Sequence, residues 1–150
     1  RATDLTIPAG VRDGQTLRLR GKGQPGLGGG PAGDAYVEIG VRPHKTFTRD
    51  GNDIEIEVPI AFDEAVLGAR VEVPTLSGKV SMTIPKGASS GQRLRLKGKG
   101  IKPASGPAGD QYVRLKIVMP ANTDAEMEAI AQRWRDHVIA DPRAKLWEAL

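Results

Sequence analysis

The residue types that most often perform acid–base or nucleophilic chemistry are sparse in this chain. Its 150 residues include two histidines, His44 and His137, and no cysteine. A histidine-centred triad or a metal centre needs several such groups together, so neither is expected. Without cysteine, no disulfide or thiolate-bound metal can form within these residues. We therefore predict no catalytic residue, no cofactor and no metal, and the chain is not expected to be an enzyme.

Two aspartates nevertheless occupy equivalent positions. Asp34 lies in Pro31–Val37 and Asp110 in Pro107–Val113, and these segments are identical at six of seven positions. A pair of carboxylates could serve general acid–base catalysis. Their duplication instead favours a turn-closing hydrogen bond that the fold needs twice.

A longer repeat precedes each aspartate. Residues Ile7–Gly23 and Ile84–Gly100 are identical at 11 of 17 positions, at an offset of 77. Both copies end in Gly-Lys-Gly, which faintly resembles a phosphate-binding loop. The Walker spacing and the following Ser or Thr are missing, and no helix is predicted to follow, so a phosphate site is not favoured. Self-similarity of this kind predicts a duplicated domain.

Alternation of apolar and polar residues predicts the strands of a mainly β fold. Pro59 indicates an edge or bulged position because proline cannot donate a ladder hydrogen bond. A short helix is predicted from Asp63, as N-cap, to Gly68, and a hairpin turn at Thr75–Gly78. The apolar residues of the predicted strands are Leu5, Ile7, Leu17, Leu19, Ala35, Val37, Ile39, Val41, Ile54, Ile56, Val58, Ile60, Val71, Val73, Val80, Met82, Ile84, Val113, Leu115, Ile117 and Met119.

After Pro120 the pattern becomes helical. Thr123–Glu126 fits a capping box, and Asp141–Pro142 is expected to start a second short helix. Apolar residues follow at helical spacing and are predicted to be buried, either against the chain's own second domain or, as we favour, in a symmetric dimer contact. These candidate dimerisation residues are Met127, Ile130, Trp134, Val138, Leu146 and Trp147.

Net charge is +4 and the pI is about 9.6, which permits binding to nucleic acid or acidic partners without requiring it. Most basic residues alternate with apolar ones, as in Leu94–Lys97, which is typical of the solvated face of a strand. No apolar run could span a bilayer, and the first residues do not resemble a signal peptide, so a cytoplasmic location is expected.

The segment between the two repeats, residues 44–53, contains turn signals and one of the two phenylalanines of the chain, Phe47. Packing alone hardly requires an aromatic residue in such a polar segment. Two interpretations of Phe47 remain open: a plug between the two domains, or a binding residue.

Taken together, these motifs resemble the C-terminal half of DnaJ-type co-chaperones, closest to the curved-DNA-binding-protein-like class without a zinc finger. The resemblance covers roughly residues 3–120. It rests on the repeated Ile-Pro-x-Gly…Leu-Arg-Leu-x-Gly-Lys-Gly segment, on Gly-Asp-x-Tyr-Val, on His44-x-x-Phe47-x-Arg49-Asp50-Gly51-x-Asp53, on Glu64–Gly68 and on Pro74–Val80.

This resemblance implies tandem β-sandwich or barrel-like domains, each with a short helix, and a homodimer formed through the extreme C-terminus. It also implies binding of unfolded polypeptide clients and their delivery to a DnaK-type chaperone. By the repeat offset, residue 1 corresponds to Gly78, so the first domain lacks the segment equivalent to Asp53–Ser77 and its client groove is expected to be incomplete. The J-domain tripeptide His-Pro-Asp is also absent.

We therefore expect an incomplete client-binding domain I at residues 1–43, a joint at 44–53, client-binding domain II at 54–120 and a helical dimerisation segment at 121–150. Binding of unfolded polypeptide is the favoured function. The alternatives are non-specific DNA binding and a purely structural or dimerisation role; no membrane partner is expected. The candidate client-binding residues are Phe47, Ile54, Ile56, Val71 and Val73.

Overall fold

The computed structural model describes residues 3–137 and 140–150, which form two compact units that divide after Val118. The mainly β fold is confirmed. In the described residues the strands are β1 (Thr16–Leu19), β2 (Ala35–Glu38), β3 (Phe47–Asp50), β4 (Asp53–Ile60), β5 (Ala69–Thr75), β6 (Gly78–Ile84), β7 (Arg93–Leu96) and β8 (Gln111–Ile117), and the α-helices are α1 (Phe62–Leu67), α2 (Ala125–His137) and α3 (Ala144–Glu148).

The second repeat, residues 54–118, is built on a four-stranded sheet ordered β3-β4-β8-β7. Strand β4 runs parallel to β8, with Ile54 opposite Gln111 and Ile60 opposite Ile117. Strand β3 lies at one edge and pairs only with the first half of β4, from Asp53 to Ile56. Pro59 therefore has no neighbour on that side, which is how a proline is accommodated in a strand that is central in the sheet.

The core lies between this sheet and the β5–β6 hairpin. Its cluster takes buried side chains from β4, β5, β6, β8 and α1, and full burial of one such aliphatic side chain stabilises the fold by about 1.5–3 kcal/mol. The cluster comprises Ile56, Ile60, Ala65, Val73, Met82, Ile84, Ala88, Val113 and Leu115. The prediction that Met119 faces inward is wrong, because β8 ends at Ile117 and Met119 is 66% exposed.

Helix α1 begins after Ala61, not at Asp63 as predicted. The Glu64 carboxylate accepts a hydrogen bond from the Ala61 N–H at 2.9 Å, which satisfies an amide at the start of the helix. Asp63 lies in the first turn, where its negative charge favours the positive end of the helix dipole. Gly68 ends the helix at φ +78°, as predicted.

The first repeat, residues 3–43, contains one antiparallel pair, β1 with β2. Its apolar side chains, among them Leu17 and Val37, are only half-buried. The strand predicted at Leu5 and Ile7 does not form. These residues correspond to Met82 and Ile84 of β6, which pairs with β5, and no strand among the described residues pairs with them in that way.

The duplicated aspartates close equivalent turns, as predicted. Asp34 accepts a hydrogen bond from the Gly21 N–H at 2.9 Å, and Asp110 accepts one from the Gly98 N–H at 2.8 Å. Each carboxylate also pairs with an arginine of the preceding strand, in the first repeat Arg18. The Gly21 hydrogen bond, followed by that of Arg18, lowers the pKa of Asp34 below its usual value.

The second unit, from Met119 to Leu150, contains α2 and α3. Asp124, not Thr123, caps α2, because its carboxylate accepts the Met127 N–H at 2.8 Å. Four of the candidate dimerisation residues lie on the surface of this unit: Ile130, Trp134, Leu146 and Trp147 are 44–69% exposed. Met127 is half-buried. Val138, also a candidate dimerisation residue, lies outside the described residues. No helix among the described residues is both long and apolar enough to cross a membrane.

Candidate functional site

The first unit contains a concave cleft of about 700 Å³, which we call the junction groove. It lies where the first repeat meets the β3–β4 hairpin, and its volume is within the range of ligand-binding sites in proteins. It is lined by Arg12, Asp13, Val41, Arg42, Pro43, His44, Phe47, Thr48, Arg49, Gly51, Ile54, Leu76 and Ile101.

The groove has an apolar surface from separate parts of the chain. Phe47 begins β3, and Ile54, which pairs with Arg49, lines the groove from β4 although it is only 3% exposed. Leu76 comes from the two-residue turn between β5 and β6 and is 54% exposed, and Ile101 follows β7. A large apolar residue so exposed at a hairpin tip gains little from internal packing, so it suits contact with a ligand.

His44 orients Phe47. Its ring lies against the phenylalanine ring, with centroids 5.1 Å apart and a tilt of 55°. Its Nδ1 accepts hydrogen bonds from the N–H groups of Thr46, at 3.0 Å, and of Phe47, at 3.2 Å. Nδ1 is therefore the unprotonated ring nitrogen, and the imidazole fixes the backbone at the point where β3 begins.

Arg49 fastens the first repeat to the hairpin. Its guanidinium donates to the carbonyls of Val11, at 2.7 Å, and Gly10, at 2.9 Å, both in the first repeat. It also donates to the carbonyl of Gly51, at 2.7 Å, in the turn that follows β3. The planar fork of an arginine suits this multiple contact, which a lysine could not reproduce.

A second contact supports the same junction. The Ala104 N–H donates to the Ala9 carbonyl at 3.1 Å, and Gly10 packs so closely on Pro103 that a Cβ would lie 2.9 Å from its Cα. The Ile101 N–H donates to the Asn52 carbonyl at 2.8 Å. The walls of the junction groove are thus held by backbone contacts as well as by Arg49.

The structure brings only two of the five candidate client-binding residues to the junction groove, Phe47 and Ile54. Ile56 and Val73 belong to the core, with 4% and 1% exposed, and Val71 is half-buried against it. Ile54 lines the groove but is itself only 3% exposed. The alternation of these four residues reflects core packing, so only Phe47 is kept in the proposal below. Leu76, Ile101 and Arg12 were not predicted as binding residues. Of the three, Leu76 alone carries a signal in the sequence, because it is an apolar residue in a predicted hairpin turn.

The solvent face of the four-stranded sheet carries a charge cluster. Glu55 of β4 accepts hydrogen bonds from Arg93 and Arg114, and the Arg93 guanidinium lies 4.0 Å from the centre of the Tyr112 ring. The hydrogen bond from Arg114, and then that from Arg93, lowers the pKa of Glu55. These cross-strand pairs stabilise the sheet, and they suggest no reaction. No group of acidic or histidine side chains suited to a metal ion occurs in the described part of the chain.

Comparison with known proteins assigns residues 1–120 to the family model "DnaJ C terminal domain". The chain is 47% identical over 145 residues to the curved DNA-binding protein of Pseudomonas syringae pv. tomato, covering 97% of this chain and 46% of that protein. It is 50% identical over 133 residues to the chaperone protein DnaJ of Ruminiclostridium cellulolyticum, covering 88% and 35%. The chain therefore spans less than half the length of these relatives.

Proposed function

Because this chain belongs to the DnaJ C-terminal domain family, a non-enzymatic co-chaperone family, we propose that it binds exposed apolar segments of unfolded polypeptides in the junction groove. The observation that supports this most directly is the position of the groove beside β3. That strand lies at the edge of its sheet, so an extended peptide can add to it by main-chain hydrogen bonds. Phe47 and Leu76 then receive its apolar side chains.

Replacing Phe47 with alanine tests this site. We expect about a tenfold loss of affinity for a fluorescently labelled, permanently unfolded polypeptide, because the largest apolar contact of the groove is lost. Fluorescence anisotropy measures the affinity, and thermal unfolding checks the fold. Since Phe47 also packs against the core, Phe47→Leu, which keeps most of that packing, should show a smaller loss.

Tyr36→Ala serves as the control variant. Tyr36 is 66% exposed on the first repeat and does not line the junction groove. Equal affinities for Phe47→Ala, Tyr36→Ala and the unmodified chain would contradict the proposed site.

We further propose that the second unit joins two chains into a homodimer, as the family resemblance implies. Trp134 and Trp147 are 60% and 69% exposed, and aromatic side chains left so open on short helices are typical of an interface. A dimer presents two junction grooves to one client, which raises its avidity without any new contact. Delivery of the client to a DnaK-type chaperone belongs to the same proposal.

A negative charge in place of Trp134 should separate the two chains of the proposed dimer. We expect Trp134→Glu to convert a dimer into a monomer, measured as a halved mass by light scattering during size-exclusion chromatography. Arg133→Glu, one residue away on the same helix and also exposed, should leave the mass unchanged. A monomeric mass for the unmodified chain would remove the dimer from the proposal.

Non-specific DNA binding is the second candidate function, favoured by the names of several relatives, including the curved DNA-binding protein of Coxiella burnetii at 44% identity. Lys97 and Lys99 are exposed and take part in no ion pair with the described residues. Arg93 and Arg95, in contrast, each pair with a carboxylate. Affinity supplied by such lysines falls steeply with salt concentration.

A further inference from the structure

The junction groove combines its apolar surface with an excess of positive charge. Three arginines line it, Arg12, Arg42 and Arg49, against one carboxylate, Asp13. Arg49 is bonded to backbone carbonyls, which are neutral acceptors, so its charge is not cancelled. Arg12 and Arg42 make no ion pair with any of the described residues.

Asp13 does not supply the missing counter-charge. Its Oδ1 accepts a hydrogen bond from the Val41 N–H at 2.9 Å. This bond links the turn before β1 to the segment after β2. The carboxylate makes no ion pair with Arg12 or Arg42 at 4.0 Å or less. The arginine side chains are thus left free to meet a charge carried by the ligand.

We propose that the junction groove selects extended peptides in which an apolar residue is flanked by aspartate or glutamate. The inference rests on the proposed function, because it names the class of client that the same groove prefers. The apolar residue contacts Phe47 and Leu76, and the flanking carboxylates pair with Arg12 and Arg42. Arginine suits this role since its fork binds a carboxylate through two parallel hydrogen bonds.

A nucleic acid is the other polyanion that free arginines attract, but the groove does not suit it. Its apolar residues come from separate segments of the chain and lie beside a strand edge, which offers main-chain hydrogen bonds to a peptide. The only aromatic ring besides that of His44 is Phe47, and His44 lies against it. Base stacking needs open aromatic faces, so the surface favours a peptide.

The test uses the full chain and three labelled peptides with one shared apolar centre, flanked by glutamate, glutamine or lysine. Anisotropy gives their affinities at about 50 mM and about 300 mM salt, where screening of exposed charges differs strongly. The variant is Arg12→Glu combined with Arg42→Glu. The control, Arg20→Glu combined with Lys22→Glu, changes the net charge equally at exposed residues that do not line the groove.

We expect the glutamate peptide to bind at least about tenfold more tightly than the lysine peptide at low salt. The arginines attract the glutamate side chains and repel the lysine side chains. High salt and the Arg12/Arg42 variant should both remove that preference, and the control variant should retain it. Equal affinities of the three peptides, or an equal loss in the control variant, would overturn the inference.

Two further results separate the inference from the proposed function. Equal affinities that still fall with Phe47→Ala would leave the client site in place and refute only the acidic preference. No binding of any peptide, or binding unaffected by Phe47→Ala, would refute the site itself. A short DNA duplex that loses affinity with the Arg12/Arg42 variant but not with Phe47→Ala would show that the arginines bind phosphate, which also overturns the inference.

Discussion

Gly109→Ala is expected to lower the free energy of unfolding by about 3 kcal/mol, whereas Gly33→Ala, at the equivalent position, should change it by less than about 0.5 kcal/mol. A Cβ on Gly109 would overlap the Asn52 carbonyl and crowd the Asp53 carboxylate. The obstacle is backbone in a hydrogen-bonded turn, so no side chain can move aside to relieve it.

Gly33 provides a matched control because the two glycines share the same sequence motif. A Cβ on Gly33 would find its nearest neighbour, the Gln24 carbonyl, 3.9 Å away, which is ordinary contact. No turn of the described residues packs on Gly33 as the Asn52 turn packs on Gly109. Thermal unfolding followed by circular dichroism should show a fall of roughly 10 °C for Gly109→Ala alone. Equal shifts for both variants would contradict the different packing of the two repeats.

Arg49→Ala is expected to release the first repeat from the hairpin and to weaken peptide binding by at least about tenfold. The change leaves the carbonyls of Gly10 and Val11 without their charged donor in a partly buried site, and each such hydrogen bond contributes about 1.5–3 kcal/mol. Since the junction groove exists only while its two walls stay together, its affinity falls although Phe47 is unchanged.

Hydrogen exchange separates this mechanism from general destabilisation. Amides of β1 and β2 should exchange faster in Arg49→Ala, while those of β4 and β8 remain protected, because the second repeat keeps its core. Arg49→Lys should be intermediate, since one ammonium cannot reach all three carbonyls. Arg20→Ala, an exposed arginine outside the groove, should match the unmodified chain. A uniform rise in exchange over both repeats would count against the role of Arg49 at the junction.

The features predicted from sequence are those that local pattern and duplication encode. Alternation identified most strands, and the paired occurrence of Asp34 and Asp110 identified a turn-closing hydrogen bond. The errors arose where pairing decides the outcome: Leu5 and Ile7 alternate as a strand should, but no described strand pairs with them. Met119 continues the alternation of β8 beyond the point where the strand ends.

The junction groove could be predicted only in part. Phe47 was identifiable because an aromatic residue in a polar segment lacks an evident packing role. Leu76, Ile101 and Arg12 come from distant segments, and only the tertiary fold brings them together. Core residues and contact residues also share one pattern, which is why Ile56 and Val73 were chosen although they are buried.

The parallel pairing of β4 with β8 has a consequence for how the chain is made. The Asp110 N–H donates to the Asp53 carboxylate beside the start of the β4–β8 pair, and these two residues lie 57 positions apart in the chain. At ribosomal rates of about 5–20 residues per second, β4 waits roughly 3 to 11 s before its partner has been synthesised. During that interval β4 can pair with β3, but the edge that β8 later covers stays open. A protein proposed to shield apolar segments of other chains thus exposes a strand edge of its own during synthesis.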